Sequence, residues 1–433
     1  MAYATTNPYT GETLKTFPEA SDQDVQNALH DAHEAFKSWR HVSFSERAKI
    51  MTKAAEILRR DIDKYAKLLT LEMGKLYEEA KLETILSAEI FEYYAKNAES
   101  LLKSEKLPVA DPKEGNAILV HQPQGIVFAI EPWNFPYYQI ARIIAPQLSA
   151  GNTVLLKHAS NVPQSAAIFD DLMIEAGLPK GAFRNLYAAR HHTETILNDP
   201  RVCGVALTGS EQAGSIVAAV AGKALKKSTM ELGGADAFVV LEDADVEKAA
   251  KWAAFGRHWN AGQVCVSSKR LIVVDAVYDR FVEIYKAEVA KFKAGDPMDP
   301  STTLAPLSSQ KAADDLKAQV EKAKTHGAVV EVIGAPVPEK GAFFQPLLMT
   351  NLHENNEARH WEFFGPVTQL YRAKDQDDAV RIANDTPYGL GGSVFTKDTA
   401  RGVEVAKQIH TGMVYINHPT MVKADLPFGG VAN

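Results

Sequence analysis

Short apolar runs that alternate with helical segments constrain the fold of this chain more than any other feature. The runs TVLLK (153–157), CGVAL (203–207) and AFVVL (237–241) are separated by helical patterns such as 163–177 and 210–225. Apolar strands joined through helices are typical of parallel sheets with helices on both faces. The alternation then resumes, so the sequence predicts an α/β fold with a doubly wound domain followed by a second α/β domain.

Length and composition exclude several classes of protein. A chain of 433 residues is too long for one hydrophobic core, so two large domains or an interleaved pair are expected. The net charge of -7 argues against a nucleic-acid partner, and no apolar stretch reaches the roughly 18 residues that span a membrane. The 2 cysteines suit a reducing compartment, so we expect a cytoplasmic protein without nucleic-acid or membrane partners.

Cys265 is the candidate nucleophile. It lies in WNAGQVCVSSKR (259–270), on a loop between a predicted helix over 245–259 and a predicted strand over 270–274. Such a cysteine is often only a small buried hydrophobe, but loops are also where catalytic groups are displayed. A thiolate can add to an aldehyde and create the tetrahedral carbon from which a hydride departs. Cys203 lies within an apolar run, and we interpret it as a core residue.

Further residues could serve the same chemistry. Glu231 precedes two glycines and could take a proton from water, although it could equally be a solvated glutamate at a strand end. Asn134, in PWNFP, could donate to an oxyanion or simply form a turn. Lys157 and the strand-to-helix turn TGSEQAG (208–214) suit phosphate or ribose contacts, although the chain contains no G-x-G-x-x-G.

In this order, the segments resemble the aldehyde dehydrogenase superfamily. The shared motifs are PWNFP, TGS-x-x-x-G, MELGG, GQVC, EFFGP (362–366) and PFGG (427–430), and they extend over essentially the whole chain. The resemblance implies a Rossmann-type cofactor domain, an α/β catalytic domain and a small β oligomerisation element. The implied ranges are 1–103 and 121–231 for the cofactor domain, 232–410 for the catalytic domain, and 104–120 and 411–433 for oligomerisation or bridging segments.

The resemblance also implies an activity and a set of roles. Cys265 would be the nucleophile, Glu231 the general base and Asn134 the amide that stabilises the oxyanion. The implied reaction oxidises an aldehyde to a carboxylic acid through a thiohemiacetal and a thioester, with a dinucleotide as hydride acceptor and no metal. The implied cofactor-binding residues are Trp133, Lys157, Ser160, Gly209, Ser210, Gly214, Leu232, Glu362 and Phe364.

Ser160 bears on the choice of dinucleotide. Many relatives that prefer NAD carry a glutamate three residues after the lysine, where this chain has Ser160. A carboxylate there would repel a 2′-phosphate, whereas a serine beside Lys157 can receive it. The sequence therefore favours NADP, with NAD as the alternative.

The implied substrate needs a cation in its pocket. The chain as a whole resembles the bacterial succinate-semialdehyde dehydrogenase branch, whose substrate carries a second, terminal carboxylate. Arg142 matches an arginine used for this carboxylate, Trp259 replaces a second arginine found in some members, and Lys423 could supply that charge. Arg142 could instead form an ion pair on a helix. A broad-specificity aldehyde dehydrogenase and a non-catalytic relative are the alternatives, although the latter would be expected to have lost the thiol, amide or base.

The resemblance implies a homodimer or homotetramer that takes a small aldehyde. After PFGG the family commonly continues into a tail that packs against a neighbouring subunit, whereas this chain reads GGVAN (429–433). We expect the contacts between subunits to be weaker if the tail is naturally missing.

Overall fold

A computed structural model describes residues 3–433 and divides the chain into two compact units. The first unit comprises residues up to Thr5 together with Lys15–Leu68 and Lys81–Met230, and the second comprises Thr6–Leu14, Leu69–Ala80 and Glu231–Asn433. Both units combine helices with parallel strands, which confirms the predicted α/β class. The domain limits implied by the resemblance remain predictions.

The chain opens with a two-stranded sheet and a run of helices. Ser21 and Ser43 each form a capping box at a helix start, which satisfies backbone N–H groups that the helix itself leaves unpaired. The elements are β1 (Tyr3–Thr6), β2 (Thr13–Phe17), α1 (Asp22–Trp39), α2 (Phe44–Arg60), α3 (Ile62–Met73) and α4 (Tyr77–Leu101).

An antiparallel ribbon follows these helices. It pairs β3 (Glu105–Leu107) with β4 (Ala117–Leu119), and Glu105 lies opposite Leu119. The ribbon exposes apolar side chains, with Ile118 59% exposed and Leu119 42% exposed.

The next elements form a five-stranded sheet with helices between its strands. They are β5 (Ile126–Glu131), α5 (Pro136–Ala150), β6 (Thr153–His158), α6 (Pro163–Glu175), β7 (Phe183–Asn185), α7 (His192–Asn198), β8 (Val202–Thr208), α8 (Glu211–Lys223) and β9 (Lys227–Glu231). The strand order is β7-β6-β5-β8-β9, and β5 runs parallel to β6 and β8. Ile130 lies opposite Lys157, so the carboxyl ends of β5 and β6 meet at one edge of the sheet.

The second unit contains a seven-stranded sheet. Its elements are β10 (Ala237–Val240), α9 (Val246–His258), β11 (Arg270–Val274), α10 (Asp275–Val289), α11 (Gln310–Thr325), β12 (Val329–Val332), β13 (Leu347–Thr350), β14 (Val367–Ala373), α12 (Gln376–Asn384), β15 (Gly392–Phe395), α13 (Thr399–Ala406) and β16 (Tyr415–Ile416). The order is β12-β13-β14-β11-β10-β15-β16; within this sheet the β12–β13 pair is antiparallel and the other pairs are parallel.

Alternate residues of the central strands pack on opposite faces of this sheet. Val239 and Ile272 belong to one apolar cluster, whereas Phe238 and Leu271 belong to the other. Both faces are therefore buried, which explains why β10 and β11 are continuous apolar runs. None of the helices within residues 3–433 combines the length and apolarity that crossing a bilayer would require.

Candidate active site

The loop that carries Cys265 leaves α9 through a left-handed turn. Asn260, Ala261 and Gly262 have φ angles of 49°, 53° and 76°. Only glycine adopts this region without penalty, and each of the other two residues costs about 1–3 kcal/mol. The turn must therefore be held by contacts with other parts of the chain.

Hydrogen bonds from distant segments hold this turn. The Asn260 N–H donates to Glu79 Oε1 at 3.0 Å, and the Ser308 N–H donates to Gln263 Oε1 at 2.8 Å. The Gln263 amide in turn donates to the Asn260 carbonyl at 3.0 Å. Burial raises the pKa of the Glu79 carboxyl above its ordinary value. The backbone before Cys265 is thus fixed by the Glu79 side chain and the Ser308 backbone N–H, both far away in sequence.

Arg257, on α9, links the Cys265 loop to the EFFGP segment. Its guanidinium donates to the Gly262 carbonyl at 3.2 Å and to the Phe363 carbonyl at 2.6 Å. Its Nε donates to the Val367 carbonyl at 2.9 Å. Burial lowers the pKa of Arg257 to about 10, so it remains charged at neutral pH. Sequence reasoning missed this residue, although an arginine within the apolar pattern of a helix is a signal for a buried hydrogen-bonded cation.

A second buried cation, Lys269, contacts the backbone of the Cys265 loop. Its Nζ is 2.6 Å from the Val264 carbonyl, 2.6 Å from the Cys265 carbonyl and 3.0 Å from Glu362 Oε1. The ring centroid of Phe364 lies 5.7 Å from the same ammonium. This residue, too, was missed, because a single lysine near a strand start looks like an ordinary surface residue.

The two glycines of MELGG allow close approach to this cluster. The Gly234 N–H donates to Glu362 Oε1 at 3.0 Å, and a Cβ at Gly234 would lie only 2.5 Å from the Cys265 carbonyl oxygen. A Cβ at Gly233 would lie 2.5 Å from Glu362 Oε2. Gly234 therefore requires glycine, because the clash is with backbone, whereas a Cβ at Gly233 would displace the Glu362 carboxylate. The structure brings these two glycines, EFFGP and the Cys265 loop together within the second unit.

Glu231 and Leu232 lie where β9 ends, and both are half-buried. A Cβ at Gly429, in PFGG, would lie 3.3 Å from Glu231 Oε1, so this motif approaches the carboxylate closely. Cys265 is also half-buried. Partial exposure leaves both groups accessible to a small reactant and to water.

The amide of Asn134 is buried in the turn between β5 and α5, with the residue 4% exposed, and Trp133 beside it is half-buried. Arg142 lies on α5. Its guanidinium nitrogens are 3.4 Å from the Tyr138 hydroxyl and 3.4 Å from the Thr208 hydroxyl. Both of these hydroxyls are neutral groups on the same unit as Arg142.

Lys157 lies at the carboxyl end of β6, with its Nζ 5.8 Å from the Tyr3 ring centroid. Burial and then the positive charge of Arg190 lower the pKa of Lys157. Arg190 was missed by sequence reasoning, although it is the one arginine of the AARHH segment (188–192) that follows β7. Ser160 is half-buried, and its carbonyl accepts from the Ala4 N–H at 2.9 Å. Two cations and a hydroxyl-bearing residue therefore lie on neighbouring strand ends.

The start of α8 is capped by a serine. Ser210 is its N-cap and accepts from the Ala213 N–H at 3.3 Å, whereas Gly214 is buried on the helix. Gly209 precedes the cap. Helix N-termini bind phosphate groups because several N–H groups point in one direction.

Two predicted substrate residues have different surroundings within the second unit. Trp259 stacks on Phe255 with ring centroids 6.1 Å apart and lines a cavity of about 380 Å³ together with Phe292 and Met298. Lys423 is exposed and forms no ion pair with any residue of the described range. Lys423 therefore has no defined ionic partner among the described residues.

One cluster has the composition of a metal site but not its hydrogen bonding. Asp22, His191 and His192 place a ligand atom each within 4.8 Å of the others. The Ala189 N–H donates to His192 Nδ1 at 3.0 Å, so Nε2 carries the hydrogen and donates to Asp22 at 3.1 Å. His192 therefore joins α1 to the turn after β7 and offers no lone pair to an ion.

Comparisons with known proteins agree with this architecture. A model of the aldehyde dehydrogenase family matches residues 1–433. The chain is 48% identical over 429 residues to a succinate-semialdehyde dehydrogenase [NADP(+)] of Deinococcus radiodurans, covering 99% of this chain and 89% of that protein. It is 42% identical over 432 residues to the enzyme of that name from Mycobacterium avium, covering 100% and 92%.

A solved structure is also similar. It is a succinic semialdehyde dehydrogenase of Streptococcus pyogenes in complex with NADP+, with 44% identity and a TM-score of 0.96. The match covers 100% of this chain and 94% of that one.

Proposed function

The chain belongs to the aldehyde dehydrogenase family, and from that premise we propose that it oxidises succinate semialdehyde to succinate with NADP. The relatives at 42–48% identity carry that activity in their names, and the similar solved structure binds NADP+. Identity at this level extends over the whole chain, which supports a shared reaction rather than a shared fold alone.

The cluster around Glu362 is the observation that carries the proposal. Lys269 and the Gly234 N–H both contact Glu362 Oε1, so that oxygen is fixed. No residue of the described range donates to Oε2, which faces Gly233. An oriented carboxylate with one oxygen left to accept suits a ribose hydroxyl. The residues present therefore fit a dinucleotide, and Glu362 would hold its nicotinamide ribose.

We assign each of these residues the role that the family resemblance implies. The Cys265 thiolate adds to the aldehyde carbon, and the Asn134 amide donates to the resulting oxyanion. NADP, when bound, supplies a nicotinamide ring that accepts a hydride. Loss of the hydride leaves a thioester on Cys265. Glu231 then takes a proton from water, whose oxygen attacks the thioester and releases succinate and the thiol.

The cations near Lys157 support NADP rather than NAD. A 2′-phosphate is a dianion, and Lys157 with Arg190 supplies two positive charges, whereas Ser160 adds no negative charge. Ser160→Glu is expected to lower the NADP-to-NAD ratio of kcat/KM by about tenfold or more. An unchanged ratio would contradict this assignment.

Arg142 is proposed to bind the terminal carboxylate of the substrate. Arg142→Ala should lower kcat/KM for succinate semialdehyde by about 10- to 100-fold, because a hydrogen bond to a charged group contributes about 1.5–3 kcal/mol. Butanal, an uncharged aldehyde of the same chain length, should lose much less. Arg184→Ala, which removes a half-buried arginine paired with Asp31, is the matched control.

Equal losses on both aldehydes would favour the broad-specificity alternative. A steady-state screen of several aldehydes against NADP and NAD tests the proposal as a whole. Absence of cofactor reduction with every aldehyde would instead favour a non-catalytic relative.

We further propose that the protein is a cytoplasmic homodimer or homotetramer. The exposed apolar residues of the β3–β4 ribbon support association, because such patches are covered in stable proteins. Neither Cys203 nor Cys265 forms a disulfide, which suits a reducing compartment.

A further inference from the structure

Lys269 is a buried charge that the proposed reaction leaves without a role. The residue is only 2% exposed. Its ammonium donates hydrogen bonds to the carbonyls of Val264 and Cys265 and forms an ion pair with the carboxylate of Glu362. The same charge therefore contacts both the Cys265 loop and Glu362.

Burial of a charge is expensive unless geometry and partners compensate. Removing an ammonium from water costs several kcal/mol, and an apolar residue of similar size would often be at least as stable. The targets of Lys269 are therefore informative. One is the carboxylate proposed to bind the cofactor ribose, and another is the carbonyl of the proposed nucleophile itself.

We propose that Lys269 is a positioning residue that joins Glu362 to the backbone of the nucleophile, so that the ribose contact and the thiol are held in one arrangement. The inference rests on the proposed function of this site. Lys269 touches neither substrate nor cofactor, and it acts through the groups that do. Its ammonium contacts both the Glu362 carboxylate and the Cys265 loop. Removing the charge of Lys269 or of Glu362 therefore changes the electrostatic potential at Cys265.

The first test is a double-mutant cycle on cofactor binding. Lys269→Met and Glu362→Gln should each weaken NADP binding by about tenfold or more, since each breaks a charge-assisted contact. The double variant should bind NADP no more weakly than the weaker single variant. Adenosine 2′,5′-bisphosphate lacks the nicotinamide ribose, so its affinity should stay unchanged in all three. Calorimetry measures both ligands.

The second test is the rate of Cys265 alkylation by iodoacetamide without cofactor, with peptide mass spectrometry to separate Cys265 from Cys203. A nearby positive charge favours the thiolate, so Lys269→Met should slow alkylation at neutral pH. Glu362→Gln leaves the ammonium without its counter-charge and should speed it. A merely structural lysine would not give opposite changes for the two partners.

Lys286→Met is the matched control, because Lys286 forms an ion pair with Glu331 in the same unit at 2.6 Å. It should change neither NADP affinity nor alkylation. If Lys269→Met does not fold, Glu362→Gln alone still tests the inference. Faster alkylation together with weaker NADP binding in that variant would support the coupling, and any other combination of the two results would overturn it.

Additive effects on NADP binding, or alkylation changes of the same sign, would overturn the inference. The proposed function would survive that result as long as the wild-type protein oxidises succinate semialdehyde with NADP. Failure of the wild-type protein to do so would instead reject the function.

Discussion

At the residue scale, the environment of a side chain decided what the sequence could reveal. Cys265, Glu231 and Glu362 lie in recognisable motifs. The structure places Glu231 close to a PFGG glycine and Glu362 close to a MELGG glycine. Arg257 and Lys269 carry no motif, because their partners are mostly backbone carbonyls from other segments. Every residue has a backbone carbonyl that can accept a hydrogen bond, so no sequence pattern predicts which carbonyls these side chains contact.

Asp170, on α6, provides a prediction on pH dependence. Burial raises the pKa of this carboxyl to about 7, against the lowering effect of its hydrogen bond from the Asn185 N–H. The folded state therefore holds the proton more tightly than the unfolded state does. The stabilisation is complete below about pH 4 and is lost as the pH rises to about 7, by up to about 4 kcal/mol.

Asp170→Asn removes this titration while keeping an oxygen for the Asn185 N–H. The variant should gain stability relative to wild type between about pH 5 and about pH 8, as measured by urea unfolding. Asp171→Asn, which removes an exposed neighbouring charge, is the control. A difference between Asp170→Asn and wild type that does not change with pH would contradict the expectation.

At the scale of elements, apolar strands were predictable and polar ones were not. The runs at 153–157 and 203–207 agree with β6 and β8 within one residue at each end. Strand β14, Val367–Ala373, was missed because Thr368 and Gln369 interrupt its apolar pattern although both are buried. The Gln369 amide donates to the Ala358 carbonyl at 2.9 Å, a contact that only the folded chain provides. The left-handed turn before Cys265 was not predicted either, because it too depends on contacts that only the folded chain provides.

Helix α8 offers a prediction at this scale. Ser210→Ala removes the N-cap and should cost about 1 kcal/mol of stability. Ser210→Asp restores a cap but places a negative charge where the cofactor phosphates are proposed to bind. The aspartate variant should therefore melt close to wild type and yet bind NADP more weakly. NADP affinity equal to wild type in that variant would contradict an anion site at the start of α8.

At the scale of the whole molecule, the order of the motifs along the chain predicted the fold class but not which segments lie close together in space. The sequence indicated an α/β fold with two domains, and the structure shows two compact α/β units. The chain crosses between the units more than once, so short segments such as Leu69–Ala80 belong with residues far away in sequence. Apolar periodicity reports which face of an element is buried but not which element covers it.

The β3–β4 ribbon provides a prediction about assembly. Ile118→Asp places a charge on an exposed apolar surface of the ribbon and should shift the protein toward the monomer in sedimentation velocity. Ile174→Asp is the matched control, because Ile174 is an equally exposed isoleucine on α6. An unchanged sedimentation coefficient for Ile118→Asp, or an equal shift for both variants, would contradict association through the ribbon.

The most direct test of the whole account is the covalent intermediate on Cys265. Glu231→Gln should slow hydrolysis of the thioester, so incubation of this variant with succinate semialdehyde and NADP should leave one succinyl group on the protein. Peptide mass spectrometry is expected to locate that group on Cys265, and Glu231→Gln/Cys265→Ala should acquire none. A succinyl group on Cys203, or its absence while NADP is reduced, would contradict the account.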